Sequence, residues 1–202
     1  TSIIPITDTL LRFTISSSNA NDTKEGTGAQ RVQIRGINKD GRSFKQLVYL
    51  TGQAEVDIPT AFISILDAQV IQAGSGRTNA GDIYIGRGTV TAGVPATKYE
   101  KIPTGSSASK SVKFTVPKDM VFTVTSLHSH PSADKDYQLD ILMHVDGVSL
   151  KVYSTPHLSG LDDHEEFGVP LEFASQETVT VELIDGAAGG DVYVQLVGTL
   201  KP

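Results

Sequence analysis

The sequence predicts an all-β protein of antiparallel strands, folded as a sandwich or a jelly roll. Apolar and polar residues alternate with a period of two in Arg31–Ile37, Val112–Val116 and Val179–Leu183. This alternation turns one face of a pleated strand toward a core and the other toward water. Turn residues separate such segments, and no long window has a helical period. We therefore expect one or two β-sandwich units and at most one short helix.

Segments rich in β-branched and aromatic residues predict further strands along the whole chain. The turns Asn38–Gly41 and Asp146-Gly147 predict antiparallel hairpins, because Asp-Gly supplies the positive φ of a tight turn. The segment whose pattern comes closest to a helical period is Pro59–Leu66, which begins with a proline suited to a first helical position. The further strands are Leu10–Ser16, Phe44–Thr51, Ile65–Ala73, Asp82–Gly86, Met120–Leu127, Gln138–Val145, Val148–Tyr153, Val169–Phe173 and Asp191–Gly198.

Two domain arrangements fit this strand pattern. Residues 1–102 and 112–202 each have the size of an immunoglobulin-type sandwich. Between them, residues 103–111 are small and polar. This stretch is either a linker between two sandwiches or the long crossover of a single jelly roll.

Composition excludes several classes of protein. The formal net charge of -6 leaves no basic surplus for a nucleic acid. The absence of Cys excludes disulfides, cysteine zinc sites and thiol nucleophiles. No apolar run is long enough to span a membrane, and no signal peptide is visible, so we expect no membrane partner. Because the first residue is Thr rather than Met, we expect that residues are missing before Thr1.

The tetrapeptide His128–Pro131 is the strongest candidate for metal chemistry. Histidines at i and i+2 of a strand project from one face and can share a metal ion. His-x-His-Pro resembles the zinc motif of the JAMM metalloproteases, but Leu139 and Leu142 occupy the positions of that family's next Ser and Asp. A cupin site also begins with His-x-His, and its Glu and second motif are missing. We therefore expect no metal at His128 and His130. We expect these histidines to lie partly exposed where a strand ends and a loop that contains Pro131 begins.

Residues 162–166 place four carboxylates around His164. Calcium loops need oxygen ligands that converge from several backbone positions, and no Asp-x-Asp-x-Asp-Gly pattern is present. We expect a solvated acidic loop rather than a calcium site. An alternative is that Thr155–Glu166, which includes His157, forms a polar contact with a neighbouring subunit.

The glycine-rich stretch Gly74–Gly81 is similar in outline to a phosphate-binding loop. Asp82 and Ile83 stand where such a loop needs Lys and Ser or Thr, and no helix follows. We expect instead a flexible hairpin connection between the strands at 65–73 and 82–86.

No pattern of residues predicts catalysis, so we expect no catalytic residue and no cofactor. A Gly-x-Ser-x-Gly elbow is missing. Sugar binding on a β-sandwich uses exposed aromatic side chains, and the chain has no Trp and six Tyr residues, mostly on predicted strands. A carbohydrate-binding module, or a metal-dependent enzyme that uses His128 and His130, remains the alternative to a structural protein.

Several segments of the chain resemble structural proteins of tailed phages. Such proteins often contain a strand with a glycine-bounded hairpin, a strand that ends in Leu-x-Gly, and a Thr-Asn-Ala-Gly turn. Here these are Val32–Gly41, Val48–Gly52 and Ala73–Ile83. The stretch Phe114–Ser126 is similar to a strand-Pro-turn-strand pattern of the same proteins. Together these segments cover about half of the chain.

The resemblance implies a non-enzymatic virion structural protein that decorates the capsid or joins head and tail components of a phage. The expected partners are other virion proteins, from the capsid or the tail, and further copies of this chain, with a trimer as the first expectation. Edge strands and the N-terminal Thr1–Thr9 are suited to strand addition. We expect that removal of Thr1–Thr9 leaves the sandwich folded but weakens incorporation into particles.

Overall fold

The structure is a computed structural model that describes residues 13–38, 40–109, 112–131, 136–145, 148–157, 163–186 and 192–202. Every regular element in these residues is a β-strand, and none is a helix. The chain divides into a first unit, Thr1–Ser111, and a second unit, Val112–Pro202. Each is a sandwich of two antiparallel sheets. The predicted all-β fold is confirmed, and the Thr1–Thr9 arm lies outside the described residues.

The described part of the first unit forms seven strands. They are β1 (Phe13–Ser17), β2 (Ala29–Asn38), β3 (Ser43–Tyr49), β4 (Val56–Ile58), β5 (Phe62–Ala73), β6 (Ile83–Thr91) and β7 (Val94–Ile102). One sheet has the order β4-β1-β6-β7 and the other the order β3-β2-β5. All pairs are antiparallel.

Aromatic packing joins the two sheets of the first unit. The ring of Phe13 on β1 lies 5.2 Å from that of Phe62 on β5 and 5.5 Å from that of Tyr99 on β7. Full burial of each such side chain stabilises the fold by roughly 1.5–3 kcal/mol. The alternating apolar residues complete this core, among them Ile15, Val32, Ile34, Ile65, Ile83 and Ile85.

A buried carboxylate connects the loops at one end of the first unit. Asp22 lies between β1 and β2 and is 0% exposed. Its carboxylate accepts hydrogen bonds from the Ser17 hydroxyl at 2.5 Å and from the backbone N–H groups of Ala29, Ala80 and Gly81 at 2.7, 2.8 and 2.9 Å. The connection between β5 and β6 is thereby bound to the start of β2.

Gly28 leaves room for this carboxylate. A Cβ atom at position 28 would lie 2.1 Å from Oδ1 of Asp22 and 2.9 Å from the Cβ of Ala80. No side chain fits such a space, so the close approach of the two loops requires glycine at this position.

Residues 103–109 belong to the first unit. The carbonyl oxygen of Ser107 accepts a hydrogen bond from the N–H of Val70 at 2.7 Å, and the N–H of Ser109 donates to the carbonyl of Ala68 at 2.8 Å. The segment therefore covers the outer edge of β5. The boundary between the two units follows at residues 111 and 112.

The described part of the second unit also forms seven strands. They are β8 (Val112–Thr115), β9 (Val121–Pro131), β10 (Tyr137–Val145), β11 (Val148–His157), β12 (Asp163–Phe173), β13 (Thr178–Gly186) and β14 (Val192–Lys201). The sheets have the orders β11-β10-β13-β8 and β12-β9-β14. Their inner faces bury Val124 and Phe173 with Ile141 and Val179, and Leu127 with Leu139.

Both predicted hairpins have the expected strand pairing. Strands β2 and β3 pair in antiparallel fashion up to Ile37 and Ser43, and Gly41 in their turn has a φ of 74°. Strands β10 and β11 pair up to Val145 and Val148. The Asp146-Gly147 turn itself lies outside the described residues.

Two local predictions for the first unit are wrong. The helix-like segment Pro59–Leu66 becomes β5 from Phe62 onward, because pairing with β2 overrides a weak helical signal. Gly74–Gly81 is not a hairpin, since β5 and β6 lie in different sheets and this loop crosses between them. Strands β4 and β7 were not predicted: β4 has three residues, and β7 contains Pro and alternating charges that obscure its period.

We expect Asp22→Asn to lower the free energy of unfolding by about 2–4 kcal/mol. The amide replaces one acceptor oxygen by a donor that faces other donors, which leaves buried groups unsatisfied. Urea unfolding followed by circular dichroism measures the change. Asp67→Asn is the matched control, because Asp67 pairs with the largely exposed Arg35 and should contribute at most about 1 kcal/mol. Equal effects of the two substitutions would contradict this role of Asp22.

A second prediction concerns His144 on β10, which is buried between Ser149 and Thr180. Its Nδ1 lies 2.9 Å from Oγ of Ser149, and its Nε2 lies 2.6 Å from Oγ1 of Thr180. Burial lowers the pKa of His144 below the ordinary 6.5; Glu182 raises this pKa and Lys113 lowers it. Its neutral form is therefore preferred in the folded state.

Since the folded-state pKa of His144 is depressed, the stability from its neutral form is present above the ordinary pKa of histidine and is lost as the pH falls below it. We expect His144→Gln to reduce the loss of stability between pH 7.5 and pH 5, measured by urea unfolding at each pH. His130→Gln, at an exposed histidine, is the control. An unchanged pH dependence in His144→Gln would contradict this contribution.

Candidate functional site

The outer face of the β12-β9-β14 sheet carries the densest group of histidines in the described residues. Along β9, Leu127 and Ser129 are buried, while the alternate residues His128 and His130 point outward. The register places His164 of β12 directly opposite His128. On the other side of β9, Tyr193 of β14 lies opposite His130.

These side chains line a groove with a volume of about 510 Å³. Gln195 of β14, which pairs with His128, is also part of its wall. The groove therefore presents imidazole nitrogens, a phenol and a carboxamide on one sheet face. It can offer hydrogen-bond donors and acceptors together with one aromatic surface to a bound group.

The closest contact in the groove joins His128 and His164. Their Nδ1 atoms are 3.1 Å apart, and the two ring planes meet at 78°. The outer nitrogen of each ring also has a partner. Nε2 of His164 lies 3.4 Å from Oε1 of Glu166, and Nε2 of His128 lies 3.4 Å from Oγ of Ser126.

His130 lies beside an aromatic ring. Its ring centroid lies 6.3 Å from that of Tyr193, at an interplanar angle of 31°. Tyr193 is 62% exposed, more than any other Phe or Tyr side chain of the described residues. An exposed ring beside polar groups is a typical contact point for a ligand or a partner.

Hydrogen bonds on the inner side of the sheet hold the site in place. The hydroxyl of Tyr137 donates to Oγ of Ser129 at 3.0 Å, directly between the two β9 histidines. The hydroxyl of Tyr153 on β11 donates to the carboxylate of Glu165 on β12. This hydrogen bond raises the pKa of Tyr153 to about 12, with burial as a further cause. Both contacts connect the two sheets of the second unit beneath the groove.

His128 and His130 lie on one face of a strand, as the period of two predicts. The strand does not end before them, however, because β9 continues to Pro131. The prediction of a solvated acidic loop at 162–166 is wrong for Asp163–Glu166, which form the start of β12 by pairing with β9. Asp162 lies outside the described residues.

Sequence reasoning missed His164, Tyr193 and Gln195 as partners of the β9 histidines. Each lies more than 30 positions away from His128 along the chain, and only the strand register brings them together. The alternation of Val192, Val194 and Leu196 with Tyr193 and Gln195 was the available signal that the last two point outward.

Within the described ranges, no three His, Asp or Glu side chains converge in a way that would hold a metal ion. His128 and His164 form a pair of nitrogen donors, and Glu166 contacts one of them from the outside. The JAMM and cupin patterns would use His128 and His130 as joint ligands, whereas the closest contact of the His128 ring is with His164 on the neighbouring strand.

Comparison of the chain with protein-family models, with curated proteins and with solved structures found no match. Among the residues that the structure describes, no helix has the length and apolar character needed to cross a bilayer.

We expect the double replacement of His128 and His130 by Ala to change the free energy of unfolding by only about 1 kcal/mol in metal-free buffer. His128 is partly exposed and His130 is exposed, so neither leaves a large cavity when it is shortened. Thermal and urea unfolding of the double variant and the parent protein provide the measurement. A loss of several kcal/mol would show that these side chains are part of the core.

Proposed function

We propose that this chain is a non-enzymatic virion structural protein of a tailed phage, which decorates the capsid or joins head and tail components through subunit contacts. The segments that resemble structural proteins of tailed phages support this proposal, among them Val32–Gly41, Ala73–Ile83 and Phe114–Ser126. The structural observation that carries it is the edge formed by β14.

Strand β14 is a long edge strand that lacks the prolines and charges that usually protect such an edge, although its pairing with β9 shifts register between Val197 and Gly198. It pairs with β9 on one side, and no other described strand pairs with it. Val192–Lys201 contains no proline and no charged residue before Lys201. Tyr193, Val197 and Leu200 expose apolar surface along it. Such an edge is a template for strand addition by another chain.

The other described edges carry the features that prevent such pairing. Strands β4 and β8 have three and four residues. Strands β7, β11 and β12 each contain proline and charged residues, and β3 has Lys45 in its middle. The segment 103–109 covers β5. The contrast favours β14 as an edge that pairs with a neighbouring virion subunit.

Val197→Lys tests this role of β14. Val197 is 37% exposed on the outer face of the sheet, so the strand should remain folded. A lysine on an edge strand is one of the features by which natural proteins prevent pairing with a second strand. We expect the fraction of protein that sediments with phage particles to fall several-fold, while circular dichroism is unchanged.

Val169→Lys is the matched control for this experiment. Val169 is 80% exposed and lies on β12, the opposite and already charged edge of the same sheet. This variant should bind particles like the parent protein. Crosslinking of intact particles should then connect β14 to a capsid or tail subunit.

Absence of the full-length protein from particles would overturn the proposed function. If that absence came together with binding of a glycan that Tyr193→Ala abolishes, the carbohydrate-binding alternative would replace it. Normal particle binding by Val197→Lys would leave the virion role standing but remove β14 from the contact.

A further inference from the structure

The His128–His164 pair has a hydrogen-bonding pattern that points to a ligand. The two Nδ1 atoms are 3.1 Å apart, within hydrogen-bond distance, and a hydrogen or a cation between them would satisfy both nitrogens. Glu166 accepts a hydrogen bond from Nε2 of His164, so a neutral His164 has its lone pair on Nδ1. His128 then donates from Nδ1, and its Nε2 accepts a hydrogen bond from the hydroxyl of Ser126.

We propose that His128 and His164 together bind one divalent transition-metal ion, such as Zn²⁺ or Cu²⁺, through their Nδ1 atoms. This site does not depend on the proposed virion function. It also differs from the His128 and His130 combination that the sequence suggests, because its second ligand comes from the neighbouring strand.

The observed separation of the two nitrogens fits such an ion. With metal–nitrogen distances of roughly 2.0–2.1 Å, two ligands of one ion lie about 2.9 Å apart in a square-planar cis arrangement and about 3.3 Å apart in a tetrahedron. The distance of 3.1 Å between the Nδ1 atoms falls between these values. The ring centroids are 3.9 Å apart, so the two rings lie side by side, and each has to turn about its Cβ–Cγ bond to direct its lone pair at a common ion.

Exchange of the internal hydrogen bond for a metal conserves protons. His128 changes tautomer: Nδ1 loses its proton, and Nε2 gains one. The Ser126 hydroxyl then rotates and accepts from Nε2 instead of donating to it, which a hydroxyl can do without strain. His164 keeps its Nε2 proton on Glu166, the kind of carboxylate partner that orients metal-bound histidines.

Imidazole ligands favour Cu²⁺, Ni²⁺ and Zn²⁺ over Mg²⁺ and Ca²⁺, which prefer oxygen. The side chains of His164 and Glu166 are 48% and 82% exposed, so water can fill the remaining coordination positions. The proposed ion therefore lies on the surface, with open positions toward solvent.

Isothermal titration calorimetry with ZnCl₂ and, separately, CuCl₂ tests the site on the full, tag-free chain after chelator treatment. We expect one ion per chain. His128→Ala and His164→Ala should each weaken binding tenfold or more, and His164→Gln should do the same if alanine disturbs folding. Glu166→Gln should weaken it several-fold, because the outer partner of His164 is lost.

His130→Ala is the matched control, since His130 lies on the same strand face without belonging to the pair. The affinity of this variant for Zn²⁺ and Cu²⁺ should stay within twofold of that of the parent protein. Titration of the parent protein with MgCl₂ should give no binding heat. In NMR spectra of the histidine rings, Zn²⁺ should shift the Nδ1 resonances of His128 and His164.

Two outcomes would overturn the proposal. One is a parent protein that binds no more Zn²⁺ or Cu²⁺ than the His128→Ala/His164→Ala double variant. The other is a loss in His130→Ala as large as that in His164→Ala, which would place the ion between the two β9 histidines instead.

Discussion

The carboxylate of Asp22 is the interaction on which the loops of the first unit depend. It accepts backbone hydrogen bonds from the start of β2 and from the connection between β5 and β6. Four hydrogen-bond donors replace the water that this buried carboxylate loses on folding. One side chain thereby orders several loops. The close approach that this requires explains why position 28 is glycine.

The ordering continues from this carboxylate into the neighbouring loop. Asn79, next to Ala80, is buried, and its side chain donates to the carbonyl of Pro103 and accepts from the N–H of Ser107. The segment after β7 is thereby held against β5. A polar stretch that resembles a linker in composition thus becomes a cover for a sheet edge.

In the second unit, strand register is the corresponding constraint. A shift of one residue between β9 and β12 would place His164 opposite a buried residue instead of His128. Such a shift would turn inward-facing side chains toward the solvent. The burial of Leu127 and Ser129 on the inner face therefore opposes it. The histidine pair, Tyr193 and the exposed edge of β14 all lie on the sheet that this register defines. Both the proposed metal site and the proposed subunit contact follow from it.

The sequence by itself determined the fold class, because the period of two in apolar residues depends only on local backbone geometry. It also determined most strand positions, both hairpins and the outward direction of His128 and His130. The tertiary structure decided which strands are neighbours, since register and sheet order depend on contacts between distant residues. For this reason the crossing of residues 74–81 between sheets, the carboxylate contacts of Asp22 and the partner of His128 were not predictable. Residues 163–166 show the same limit: their charges indicate a loop, and pairing with β9 makes them a strand.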